Sequence, residues 1–130
     1  MLRKFILFIA ITLFSSTLNA QQSIPNITLK TVNGVKVQSN EFLNQDRFTI
    51  ISFWATWCIP CINELDAINE LYPSWKDKNI DVVAISTDDA RSKKRVRPLV
   101  SGKNWVFKIY SDTNQEFKRA LNVGGIPHTI

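Results

Sequence analysis

The alternation of apolar and polar residues changes period several times along the chain, and each change marks an element. Ile27 to Val32 alternates, as does Val35 to Gln38, with Asn33-Gly34 between them. Asn-Gly in that setting predicts a β-hairpin, because both residues tolerate the positive φ of a tight hairpin turn. Ser39 with Phe42 and Leu43 suggests one capped helical turn. Phe48 to Trp54 is a nearly continuous apolar, β-branched run, the mark of a strand covered on both faces at the centre of a sheet. Beyond it Ile62, Leu65, Ile68 or Asn69, Tyr72 and Trp75 recur at helical spacing, with Pro73 expected to kink or restart the helix. Ile80 to Ser86 reads as a second buried strand. Asp88 or Asp89 is placed to cap a helix reaching about Ser101, and Gly102 to end it. Trp105 to Tyr110 is extended, with Trp105 and Phe107 assigned to the core. Asn114 to Asn122 is a short helix, and Gly124-Gly125 leads to a strand-like run from Ile126 to Ile130.

Strands and helices in alternation predict an α/β domain with parallel pairing. The 130 residues suit one domain, and no repeat or low-complexity linker divides them. The last extended run stops at Ile130. The expected sheet therefore lacks a C-terminal strand and helix, which leaves an edge unpaired.

The first twenty residues have a pattern of their own. Arg3 and Lys4 precede an apolar run from Phe5 to Phe14, and Ser15 to Ala20 is small and polar apart from Leu18. Charge, apolar stretch and small residues in that order predict a secretory signal peptide over residues 1–20, with the mature domain at 21–130. The apolar run is about half the roughly twenty residues of a spanning helix. An uncut N-terminus would instead act as a membrane anchor. The net charge of +5 falls by two to +3 on cleavage, because Arg3 and Lys4 are the only charged residues of that segment. So small a surplus does not argue for nucleic acid.

Two cysteines, Cys58 and Cys61, are the whole thiol inventory. An exported chain with a single C-x-x-C pair has no disulfide framework, which favours chemistry over stapling. Cys58 follows the buried strand where the next helix begins. Free backbone N–H groups and the helix dipole there favour its thiolate, which is the nucleophile. Cys61 is one turn along the same face and can reach Cys58 to expel a bound substrate. Pro60 is tolerated in the first helical turn. A zinc site normally needs four ligands. There is no second cysteine pair and His128 is the one histidine, so no metal ligands are assigned. An inert bridge across so short a loop would constrain the unfolded chain weakly.

Phe53-Trp54-Ala55-Thr56-Trp57-Cys58-Ile59-Pro60-Cys61 resembles the active-site signature of the thioredoxin superfamily, F-W-A-x-W-C-x-P-C. With the N-terminal hairpin, Glu64 three residues after the second Cys, and Gly125 to Thr129, the chain is more narrowly similar to the TlpA/ResA-like exported thiol–disulfide oxidoreductases. The resemblance implies a thioredoxin-like sheet with flanking helices and an N-terminal hairpin extension. It also implies that Cys58 attacks, that Cys61 resolves, and that Trp57 shapes the surface around Cys58. Pro127 would be a cis-proline beside the dithiol, and Ile126 would offer backbone groups to an extended substrate. Glu64, if partly buried, would exchange protons with Cys61. The buried Asp of thioredoxins proper is Ser52 here, which moves acid–base duty towards Glu64 or water. The usual helix-kinking proline is Asp66. The implied function is reduction of disulfides in exported proteins, apocytochromes c among them, with a membrane electron donor and no bound cofactor.

The residues leave other readings open. A dithiol oxidant or isomerase would use the same pair in reverse. A peroxiredoxin-like peroxidase also carries a Thr before its Cys, but three residues before it, where Thr56 is two. A copper or haem-handling module could use Cys58 and Cys61 as soft ligands, although such proteins space their cysteines one residue further apart. His128 beside Pro127 reads as a surface residue. The basic stretch Arg91, Lys93, Lys94, Arg95 and Arg97 reads as a solvated face, with docking of an acidic partner as the alternative.

Overall fold

The computed structural model describes residues 24–42 and 46–130. The segment read as a signal peptide, and Leu43, lie outside the described residues. Six strands form one mixed sheet: β1 Thr28–Thr31, β2 Lys36–Gln38, β3 Phe48–Trp54, β4 Ile80–Ser86, β5 Lys108–Ser111 and β6 His128–Thr129. Their order is β2-β1-β5-β4-β3-β6. Strands β3, β4 and β5 are parallel, with Trp54 opposite Ser86 and Ser86 opposite Ser111. β1 runs antiparallel to β5, and β6 antiparallel to β3.

Side chains of the central strands alternate between two cores, as the period-two geometry of a strand requires. Ile51, Phe53, Val83 and Ile85 face one side. Trp54, Val82 and Ala84 face the other, where they meet helix α1, Ile59–Lys76, through Cys61, Ile62, Leu65, Ile68 and Tyr72. Helix α2, Val96–Lys103, adds Val96 to the same side. Helix α3, Glu116–Ala120, closes the opposite side with Phe117, together with Phe42 from the 3₁₀ turn Ser39–Phe42.

Three local readings are corrected. The hairpin turns through three residues rather than two: Gly34 N–H donates to the Thr31 carbonyl, and Thr31 N–H to that of Val35. Only Gly34 takes positive φ, +87°, while Asn33 does not. This is a type of turn in which glycine closes a G1 bulge. Pro73 does not restart the helix, because α1 runs without a break to Lys76. In the last turn its missing N–H removes one hydrogen bond from an otherwise well-packed helix. The helix expected after Asp88 begins only at Val96, and it passes Gly102 to end at Lys103. Asn104 takes the left-handed position at φ 54°, a conformation that Asn tolerates better than most residues.

Asp66 has a structural task. It accepts hydrogen bonds from Lys103 Nζ at 2.6 Å and Trp105 Nε1 at 2.9 Å, which ties α1 to the approach to β5. Burial opposes its ionisation, yet the hydrogen bonds from Lys103 and Trp105 and the lysine charge outweigh burial and hold its carboxyl below the ordinary range.

Asp112 behaves in the opposite sense. Burial pushes its carboxyl up, although the backbone N–H groups of Lys118, Phe117 and Glu116 restrain the rise. Its Oδ2 accepts from Lys118 N–H at 2.9 Å, so it anchors the first turn of α3. Replacing it by alanine should cost about 1 kcal/mol, the usual loss of a helix-capping acceptor. A raised pKa in the fold means that its linkage contribution is complete below the ordinary carboxylate pKa and is lost as pH rises through the elevated one. In urea titrations the stability gap between wild type and Asp112→Ala should therefore narrow across that window. A gap that widens with pH would contradict this account.

Candidate active site

β3 and β4 deliver the site together. Their carboxyl ends are paired at Trp54 and Ser86, and the open carboxyl edge of parallel strands is where such sheets place their binding sites. Thr87 continues this pairing beyond the strands, with its N–H 2.8 Å and its Oγ1 3.2 Å from the Trp54 carbonyl. The loop Ala55–Trp57 then carries the chain to Cys58.

Cys58 occupies the N-cap of α1 with extended backbone, φ −97° and ψ 92°, and Pro60 lies in the first turn. Cys58 and Cys61 are joined in a disulfide with Cα atoms 5.3 Å apart. Cys58 retains 6% of its surface and Cys61 only 1%, so Cys58 is the more accessible residue of the pair. The first turn of α1 carries no acidic residue. Nothing there opposes the positive end of the helix dipole, which stabilises negative charge at the N-cap sulfur. Trp57 and Ile59, on either side of Cys58, are 58% and 64% exposed.

The remaining residues of interest come from the far end of the chain. The Ile126–Pro127 peptide bond is cis. It leads into β6, where Thr129 lies opposite Ser52 and His128 opposite Phe53. Half-buried Glu64 joins these pieces. Its Oε1 accepts from Thr129 Oγ1 at 2.6 Å and from Ser52 Oγ at 3.3 Å. A carboxylate on α1 thus reaches the strand position where thioredoxins proper carry an aspartate.

A model described as the AhpC/TSA family matches residues 20–130. The chain belongs to the AhpC/TSA family. Among curated proteins it is 29% identical over 103 residues to the thiol-disulfide oxidoreductase ResA of Bacillus thuringiensis, covering 79% of this chain and 57% of that one. It is 25% identical to the ResA of Bacillus subtilis over 125 residues, covering 92% and 68%. The chain thus spans just over half the length of the first of these relatives. A thioredoxin-like protein from Porphyromonas gingivalis superposes with a TM-score of 0.70 at 40% identity, over 82% of this chain and 70% of that one. The thioredoxin-like fold is therefore shared as well as the family.

In this AhpC/TSA chain Asp88 is the one of the two candidate caps, Asp88 or Asp89, that takes a different role. Rather than capping a helix it is completely buried. It accepts from Thr56 N–H at 2.9 Å, Thr56 Oγ1 at 2.6 Å and Ser86 Oγ at 2.8 Å. The helical-turn role belongs to Asp89, whose Oδ1 accepts from Arg91 and Ser92 N–H. A signal for Asp88 did exist: Ser86 and Thr56 are hydroxyls at the ends of adjacent buried strands. Asp88 holds Thr56, two residues before Cys58, so its partners bear on the site. Thr56→Val removes a charge-assisted hydrogen bond from a buried carboxylate and should cost about 1.5–3 kcal/mol, whereas Thr56→Ser should cost much less. Chemical denaturation of the oxidised chain measures both. Equal stability of wild type and Thr56→Val would show that the bond carries no net energy.

Proposed function

We propose that this chain is an exported thiol–disulfide oxidoreductase that reduces disulfides of extracytoplasmic proteins, apocytochrome c among them. The observation that carries the reading is the Cys58–Cys61 pair at the N-terminus of an 18-residue helix, with Cys58 flanked by two exposed apolar side chains, Trp57 and Ile59. The relatives named thiol-disulfide oxidoreductase support the activity. The charge and apolar pattern of residues 1–20 supports export. The apocytochrome substrate and the membrane electron donor rest on the resemblance to TlpA/ResA-like reductases.

The reaction begins with the pair reduced. Cys58 thiolate attacks one sulfur of a substrate disulfide, forming a mixed disulfide and releasing the other substrate sulfur as a thiolate. Cys61, deprotonated, then attacks Cys58 Sγ, and the second substrate thiolate leaves. The substrate gains two electrons and two protons, and the enzyme is left with the disulfide seen in the structure. Glu64, held by Thr129 and Ser52, is the group we assign to taking the Cys61 proton. Ile126 and Pro127 line the substrate side, and Trp57 shapes the rim beside Cys58. A membrane donor restores the dithiol. A peroxidase reading would need a threonine acting on Cys58, whereas Thr56 donates to Asp88.

Cys58→Ser should abolish exchange with a model protein disulfide, and Cys61→Ser should accumulate mixed disulfides on non-reducing gels. The reverse pattern would exchange the two roles. Glu64→Gln should slow resolution of the mixed disulfide while leaving the initial attack by Cys58 unchanged, a split that single-turnover kinetics reads. A redox titration decides direction. A potential of about −250 mV or lower supports reduction, and one near about −120 mV would mark an oxidant instead.

A further inference from the structure

The basic stretch after β4 is not simply a solvated face. Part of it walls a groove of about 400 Å³ that opens at Trp57, the residue before Cys58. Thr87, Asp89, Arg91, Arg95 and Gln115 line the rest. The groove is fixed in place at both ends. Thr87 is tied to the end of β3 through the Trp54 carbonyl, and Gln115 Nε2 donates to the Thr87 carbonyl at 3.2 Å.

Its charges are unequal. Among the described residues, Asp89 is the one carboxylate lining it. That carboxylate is engaged by the Arg91 guanidinium at 2.8 and 3.1 Å, and by the N–H groups of Arg91 and Ser92. The Arg95 guanidinium has no ion-pair or hydrogen-bond partner among the described residues; only its backbone N–H is bonded, to the Ser92 carbonyl. Lys93, Lys94 and Arg97 extend the same positive stretch. The groove therefore presents uncompensated positive charge next to an exposed indole.

Taking the oxidoreductase reading as its basis, we propose that this groove binds the polypeptide flanking the substrate disulfide and selects acidic segments, with Arg95 as the main charge selector and Arg91 as the second. Geometry favours a polypeptide occupant. A chain joined through its cysteine to Cys58 and leading towards Trp57 reaches it within one or two residues, because an extended residue spans about 3.3 Å. On the Trp57 side the following residues enter the groove. A carboxylate there meets Arg95 at once and can share Arg91 with Asp89. A lysine there meets two cations with no free carboxylate to receive it. Charge complementarity of this kind acts chiefly on the association rate and is screened by salt.

The test uses the intact chain and two peptides of equal length, each carrying one cysteine in mixed disulfide with 2-mercaptoethanol. One has glutamates flanking the cysteine and the other lysines. At low ionic strength the glutamate peptide should be reduced about threefold to tenfold faster, and the ratio should contract as salt is added. In Arg95→Glu, and more strongly in Arg91→Glu/Arg95→Glu, the ratio should fall to one or invert. The ratio of the two rates is the readout, so a general loss of activity does not alter it. Equal rates in the wild type, or a preference untouched by both charge reversals, would overturn the proposal. Hydroxyethyl disulfide, uncharged and small, tests the underlying activity separately. If it and both peptides go unreduced, the oxidoreductase reading fails. The groove is then judged on the cysteine-to-serine peptides titrated by tryptophan fluorescence, where tighter binding of the acidic peptide to wild type than to Arg95→Glu upholds it and equal binding rejects it.

Discussion

A carboxylate with no exposed surface must be fully answered by hydrogen-bond donors, and Asp88 finds them in Ser86 at the end of β4 and in the loop that leads to Cys58. The cost of leaving such a group unsatisfied is large compared with the stability of a small domain. The Thr56 conformation is therefore set by the needs of Asp88 rather than by the cysteines. Two parallel strands end level with each other at Trp54 and Ser86. One continues to the acid and the other to Thr56, which supplies two of its donors. The dithiol, the exposed indole of Trp57 and the wall formed by Thr87 and Asp89 all take their positions from that one junction.

Much of this arrangement was legible along the chain because it depends on local pattern. The runs Phe48–Trp54 and Ile80–Ser86 matched β3 and β4 to the residue, since a strand buried on both faces leaves an unbroken apolar signature. Helix α1 was equally plain, its buried face appearing at the expected spacing. The element ends after β4 were not legible. Asp88 and Asp89 are adjacent and identical in type, and only tertiary packing sends one inward to Thr56 and leaves the other to cap a turn. Asn104 rather than Gly102 ends α2 for a similar reason: either residue tolerates a left-handed conformation, and the tie from Lys103 to Asp66 extends the helix past the glycine.

The candidate site divides along the same line. Cys58, Cys61, Trp57 and Pro60 lie in one continuous motif and needed no fold to be found. Glu64 could be named from its distance to Cys61, but its partners could not. Thr129 is 65 positions away from it in sequence and Ser52 is 12. Only the antiparallel docking of β6 on β3 brings the two hydroxyls to one carboxylate oxygen. The basic stretch shows the limit most clearly. Read alone it is a run of charges, and its side chains acquire a possible target only when the end of β4 sets them beside Trp57.

The pairing of β6 with β3 carries a further consequence. Thr129 faces Glu64 because it stands opposite Ser52, while its neighbour His128 stands opposite Phe53 on the other face. Sliding β6 by one residue would exchange those faces, presenting an imidazole or the apolar Ile130 to the acid in place of a hydroxyl. The chemical identity of the group beside Glu64 is thus written in strand alignment as much as in residue type. A shift of one short strand could thus replace the polar partner of this carboxylate while every residue of the helix that carries it stays the same.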